Sequence, residues 1–173
     1  MNKCQKGQDL VEFALILPVF MVILCGIIYV GFFFGDYMTL SNIARSAARE
    51  AAVTTATKTV PDGQGGTKQV RDYSNVIHAY DTLLSEGITD KDQPDKKKPI
   101  ITSLYVYAKG SLQINQNGEK DGGPSGSLEV VIPMTLNRKA GFVNVLANLG
   151  ILSDKDYVIT YYMHDENPVG SSQ

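Results

Sequence analysis

The chain has 173 residues, a formal net charge of -2 and 43% hydrophobic residues, which suits one modest domain plus an additional apolar element. Its largest basic cluster is Lys96-Lys97-Lys98, too small for the electrostatic footprint of a nucleic-acid partner. The two cysteines, Cys4 in the N-terminal tail and Cys25 inside an apolar run, exclude a disulfide framework for the rest of the chain.

The first element is FALILPVFMVILCGIIYVGFFFG, Phe13 to Gly35, with no charge and no strongly polar side chain. As a helix it would span roughly 34 Å, enough to cross a hydrocarbon core of about 30 Å with slight tilt. A soluble domain of this size rarely hides every face of so long a helix, so residues 8–35 read as a membrane segment. A signal peptide would have a shorter apolar stretch and a small-residue cleavage site. The following GDYMTLSN has no such site, Asp9 and Glu12 precede the run, and bulky residues precede Cys25 where lipoprotein processing needs small ones. The segment therefore reads as a retained anchor. Lys3, Lys6 and the chain amine lie before it, and Arg45 and Arg49 after it. The positive-inside count thus favours a cytoplasmic N-terminus only slightly, and the bulky C-terminal portion points the same way. Within the span, Pro18 removes the hydrogen bond to the Ala14 carbonyl and predicts a bend. Gly31 and Gly35 form a G-xxx-G face suited to close helix contact, although the phenylalanines between them equally suit an outer-interface anchor.

Beyond Gly35 the pattern becomes one-sided. Tyr37, Leu40, Ala44, Ala47 and Ala51 recur at three- and four-residue spacing, with Asn42, Arg45 and Arg49 on another stripe. Residues 36–57 read as an amphipathic continuation of the same helix, a rod of roughly 65 Å in all. The alanine seam would admit a partner helix closely, or pack on the chain's own head. Arg45 and Arg49 would meet acidic groups on a partner, or stand in solvent.

The Gly-rich TVPDGQGGTK breaks the rod, so residues 58–68 read as a linker, 69–165 as a soluble head and 166–173 as a flexible tail. Val70, Tyr73, Ile77, Tyr80 and Leu84 predict a helix over 69–86, capped by Gly87. Alternation in IITSLYVYAKGSLQI, SLEVVIPMTL and DYVITYYM predicts a three-stranded antiparallel sheet, with Pro133 hinting at an edge or bulge. AGFVNVLANLG predicts a short helix carrying Phe142, Val145, Leu146 and Leu149. The expected fold class is α+β: a long N-terminal transmembrane and amphipathic helix, then a small head with a short antiparallel sheet and packed helices.

Lys6-Gly7-Gln8-Asp9-Leu10-Val11-Glu12-Phe13, the early Pro18, Asn42-xx-Arg45 and Ala48-Arg49-Glu50-Ala51 together resemble the TadE-like minor pseudopilins of the Flp (tight adherence) pilus system. The resemblance covers residues 6–52. It implies that 1–7 is a leader cut between Gly7 and Gln8 by a membrane-embedded prepilin peptidase on the cytoplasmic side of a bacterial inner membrane. It also implies that the partners are that peptidase, other pilins and the Tad assembly machinery, and membrane lipid, with the head extracytoplasmic. Glu12 would then stand at the fifth mature position, where it could pair with the new amine of Gln8 in a neighbour and fix register, with Phe13 beside it. The plainer reading is a carboxylate that snorkels among headgroups.

Little in the sequence carries chemistry. His78 has no ligand-spaced partner, His164-Asp165-Glu166 are adjacent and point different ways in an extended tail, and Asp90 to Asp95 fails the calcium-loop register at Pro94. No nucleophile motif and no phosphate loop occur. Neither a cofactor nor a metal is expected, and the chain does not read as an enzyme. The competing class is a bitopic anchored binding or sensor protein with an extracytoplasmic head, which has no reason to lose residues 1–7.

Overall fold

The computed structural model describes residues 3–61, 63, 65–89, 97–101, 104–116, 127–138, 141–148, 150 and 156–164. The chain divides into two units, one up to Gly35 and one from Asp36 onward. Helix α1, Lys3–Val53, contributes to both. In the first unit the helix is apolar on every side, and no side chain from Leu10 to Gly35 is buried. Among the described residues it is the one helix long and apolar enough to cross a membrane.

The second unit is built on the remainder of α1. Leu40, Ala44, Ala47, Ala48, Ala51 and Ala52 are all buried, and all but Ala52 join the core cluster of the head. Their spacing places them on one helix face. The seam is therefore taken up in the head's own core and is not open to another helix.

Helix α1 stops at Val53, short of the expected Thr57. The β-branched run Val53, Thr54, Thr55, Thr57 favours extended backbone, and Arg71 Nη1 donates to the Thr54 carbonyl at 2.6 Å. The region expected to be a linker is a hairpin instead. Strand β1, Thr57–Pro61, pairs antiparallel with β2, Thr67–Arg71, and Gly63 and Gly65 supply positive φ in the turn. Val70 thus lies in a strand, and the expected helix over 69–86 begins only at α2, Ser74–Glu86. Asp72 accepts hydrogen bonds from the Ser74 backbone and hydroxyl. Tyr73, Val76 and Leu84 join the core, with Ile77 and Tyr80 at its margin. Gly87 ends α2 as expected. Its φ is +83°, its N–H donates to the Leu83 carbonyl, and a Cβ there would come within 2.2 Å of the Lys98 carbonyl oxygen. That close approach arises because β3, Ile88–Thr89, pairs with β4, Lys97–Lys98.

The main sheet has four strands where three were expected. Its centre is β7, Ser127–Leu136. One edge is covered by β8, Tyr157–His164, and the other by β5, Tyr105–Tyr107, and β6, Gln113–Gln116, in succession. The pairing shifts by three residues between Tyr107↔Met134 and Gln113↔Val131. The segment read as one strand is therefore interrupted at 108–112. Pro133 sits in a central strand, but beside this interruption, so on that side its missing N–H leaves no ladder bond unmade. Leu128, Val130, Ile132 and Met134, all at 0% exposure, turn one face of β7 toward α1 and α2. Helix α3, Gly141–Asn148, falls where expected; among its described side chains Val143 is buried and Val145 exposed, while Phe142, Leu146 and Leu149 lie outside the described side chains.

Replacing Ala47 by Leu overpacks a fully buried position, and is expected to destabilise the protein by about 1–3 kcal/mol. Arg49→Ala, on the exposed face, should change stability by less than about 0.5 kcal/mol. Denaturant midpoints of the two variants measure the difference.

Candidate functional site: the N-terminal helix and the base of the head

Gly7 and Gln8 lie in the second turn of α1, which starts at Lys3. Glycine weakens helix by about 1 kcal/mol relative to alanine, so Gly7 is a locally weak point of the helix. Glu12 and Phe13 are exposed. Pro18 is accommodated inside α1 without ending it. At Gly31 and Gly35 a Cβ would meet nothing within 4 Å, so the small-residue face is open.

The remaining predicted residues separate on the second unit. Ala44, Ala47 and Ala51 belong to the core. Arg45 places its guanidinium 5.8 Å from the centre of the Tyr161 ring on β8, a cation–π contact within the chain. Arg49 is exposed, and neighbouring Glu50 accepts from Tyr80 of α2. Burial first, and then this hydrogen bond, hold the Tyr80 hydroxyl above its usual pKa.

The sequence reading missed a buried polar network under the strand interruption. Asp81 of α2 is 8% exposed and accepts from the Tyr107 hydroxyl at 2.5 Å and the Gly110 N–H at 2.6 Å. Tyr107 Oη in turn accepts from the Leu112 N–H at 2.7 Å. Asp81 thus pins both the strand before the interruption and the loop itself to α2. Burial, with the Asp81 hydrogen bond second, pushes the Tyr107 pKa up to about 12. The signal in the sequence was an aspartate on the apolar side of a helix, one turn from Ile77 and Leu84. At the end of α2, Glu86 bonds to Lys97 and Lys109, which hold its carboxyl below its usual pKa. Lys97, the middle residue of the basic cluster, is thus paired with an acid.

At the end of the head where the chain enters from Gly35, Asp36 is buried. Tyr37 packs against Tyr157 with ring centres 6.4 Å apart, and Tyr157 against Tyr105 at 6.0 Å. Burial, then the neighbouring Tyr37, raise the Tyr157 pKa. An open groove of about 400 Å³ lies between Thr39, Asn42, Ile43 and Ser46 of α1 and Tyr80 and Leu83 of α2, closed off by Ile88 and Ile100. It contains no carboxylate, histidine or cysteine.

Among the described residues there is no cluster of three metal-ligating side chains. His78 and His164 are exposed. Asp165 and Glu166, and the calcium-loop lookalike at Asp90 to Asp95, lie outside the described residues.

Comparison with known proteins agrees with the resemblance seen in the sequence. Residues 7–49 match the family model described as TadE-like protein. The matched span runs from the Gly7–Gln8 bond through the apolar helix and most of the alanine face. Over residues 7–49, a quarter of the chain, the protein is therefore similar to TadE-like proteins. No curated protein and no solved structure matches the chain.

Tyr107→Phe would strand the Leu112 N–H and remove one donor from a buried carboxylate, at an expected cost of about 1–3 kcal/mol. The wild-type protein should also show an alkaline transition. A hydroxyl raised from 10.0 to about 12 on folding stabilises fully below its unfolded pKa and loses that contribution as pH rises through the folded value. Denaturation between neutral pH and pH 12 should show this loss in the wild type and a smaller one in Tyr107→Phe.

Proposed function

We propose that the protein is a minor pseudopilin of an Flp/Tad pilus, inserted with its N-terminus in the cytoplasm and its head outside the inner membrane. A prepilin peptidase cuts it between Gly7 and Gln8, and it then acts with other pilins and the Tad machinery during pilus assembly. The observation that supports this most strongly is the TadE-like match beginning at Gly7, on a helix whose apolar stretch is nowhere buried. A long uncovered helix of this kind needs lipid or the helices of a filament as its surroundings.

Within this reading Glu12 is the register element. A carboxylate at the edge of lipid is costly unless paired, and cleavage creates an amine at Gln8 one helical turn away along the sequence. Pairing with that amine in a neighbour recovers the cost and favours passage from the bilayer into an assembly. The head contributes through the surface it presents, because the alanine face of α1 is already occupied within the chain.

The N-terminus and intact mass of protein from native membranes, with and without active prepilin peptidase, test the proposal. A chain that begins at Gln8 only when the peptidase is active is the expected result. Retention of residues 1–7 in both preparations overturns it in favour of a permanent anchored binding protein. Glu12→Ala should still be inserted and cut but should lower pilus yield, and normal piliation would remove the role given to Glu12.

A further inference from the structure

We propose that a cleft between the β1–β2 hairpin, the start of α2 and β6 is a binding site for a small hydroxylated carboxylate of sugar-acid size. The site lies wholly within the second unit and outside the TadE-like match, and it stands whether or not the protein is cut at Gly7.

The cleft has a volume of about 300 Å³, at the small end for ligand pockets and suited to a single ring. Its charge is one-sided. Lys58 and Arg71 stand at the open end of the hairpin, where Thr57 pairs with Arg71 and Lys58 with Val70, and there is no carboxylate among the described residues that line the cleft. The bond from Arg71 to the Thr54 carbonyl at 2.6 Å holds the guanidinium in place before any ligand arrives. Lys58 reaches Asp72, which is outside the lining, only at 3.8 Å, and 52% of its side chain is exposed. Asp72 meanwhile accepts from the Ser74 N–H and hydroxyl at the start of α2. The helix terminus is therefore already served by a carboxylate of the chain, and the seat for a ligand's carboxylate is the side of Lys58 and Arg71, both of which attract such a group.

The rest of the lining is made for hydroxyl groups over an apolar floor. Asn115 and Gln116 of β6 and Ser74 of α2 contribute amides and a hydroxyl, groups that both donate and accept, as a sugar hydroxyl does. Asn115 turns its amide nitrogen toward Glu129 Oε2 at 3.4 Å, which assigns its carbonyl oxygen the role of acceptor. Tyr73 and Ile114 belong to the core cluster and Ile77 packs at its margin, so the floor is apolar, firmly held and suited to the C–H face of a ring. A bare inorganic anion engages the cations and neither the floor nor the amides. A neutral sugar engages the floor and the amides and leaves the cations without a counter-charge. A hydroxylated ring bearing a carboxylate engages all three.

The test is an NMR titration of the full chain in detergent micelles with glucuronate, glucose and inorganic phosphate at one ionic strength. It is read at the side-chain amides of Asn115 and Gln116 and at the Ser74 N–H. The expected result is a saturable shift of these signals by glucuronate, with glucose and phosphate binding at least about tenfold more weakly. Lys58→Glu should weaken glucuronate binding about tenfold and the milder Lys58→Gln by less, while Arg49→Glu, a charge reversal outside the cleft lining, should leave it unchanged. An equal response to glucose removes the part given to the cations and overturns the proposal. An equal response to phosphate overturns it in favour of a plain anion site. Failure of glucuronate to saturate below about 10 mM, or unchanged binding by Lys58→Glu, overturns it as well.

Discussion

The burial of the alanine face of α1 in the same core as strand β7 is the constraint on which the head depends. Leu128, Val130, Ile132 and Met134 are fully buried on the strand, and Ala44, Ala47 and Ala48 on the helix. Burying a large aliphatic side chain contributes about 1.5–3 kcal/mol, and here the large side chains come almost entirely from the sheet. The edge strands and α2 then fill the margins, with Ile114, Tyr107 and Ile159 flanking β7 and Val76 and Leu84 above it. The same helix carries an uncovered apolar half through Gly35, so one continuous element uses two kinds of side chain: bulky where nothing in the chain covers it and small where it joins the head's core.

What the sequence disclosed follows from how local each signal is. The apolar span, the cap at Gly87, the existence of α2 and α3 and three of the β-rich runs were legible because each rests on periodicity or composition within a short window. The similarity over residues 7–49 was visible through the conjunction of several short motifs and not through any one of them. The end of α1 was not legible, because what stops the helix at Val53 includes the Arg71 side chain arriving from seventeen positions further on. Nor was the alanine seam, since small residues at helical spacing describe a close contact without saying whose. The hairpin at Thr57 to Arg71 reads as a loop when its Gly-rich turn is given more weight than its threonines.

The interruption between β5 and β6 shows how a local irregularity can be held by distant residues. Periodicity predicts one continuous strand from Leu104 to Ile114, and the alternation is indeed intact on either side. The register shift becomes visible only from the pairing with β7. It is tied down by Asp81, more than twenty residues away in the chain. Pro133 then falls beside the gap, where a central strand tolerates it. An aspartate, a tyrosine and a proline, each unremarkable in sequence, thus share one structural cause.

The alanine face also has a consequence in time. Ala44 to Ala51 are synthesised long before the strand that covers them, Ser127–Leu136, and longer still before β8 completes the sheet at His164. Contacts of such sequence separation form late, since loop closure must precede any gain from burial. Until the last strand arrives, the helix stands with its small-residue face bare, and nascent chains held side by side could associate through it. Completion of the sheet around β7 thus withdraws that face from other helices, so a truncation before Tyr157 would leave a chain with its apolar helix intact but with a sticky, unfinished head.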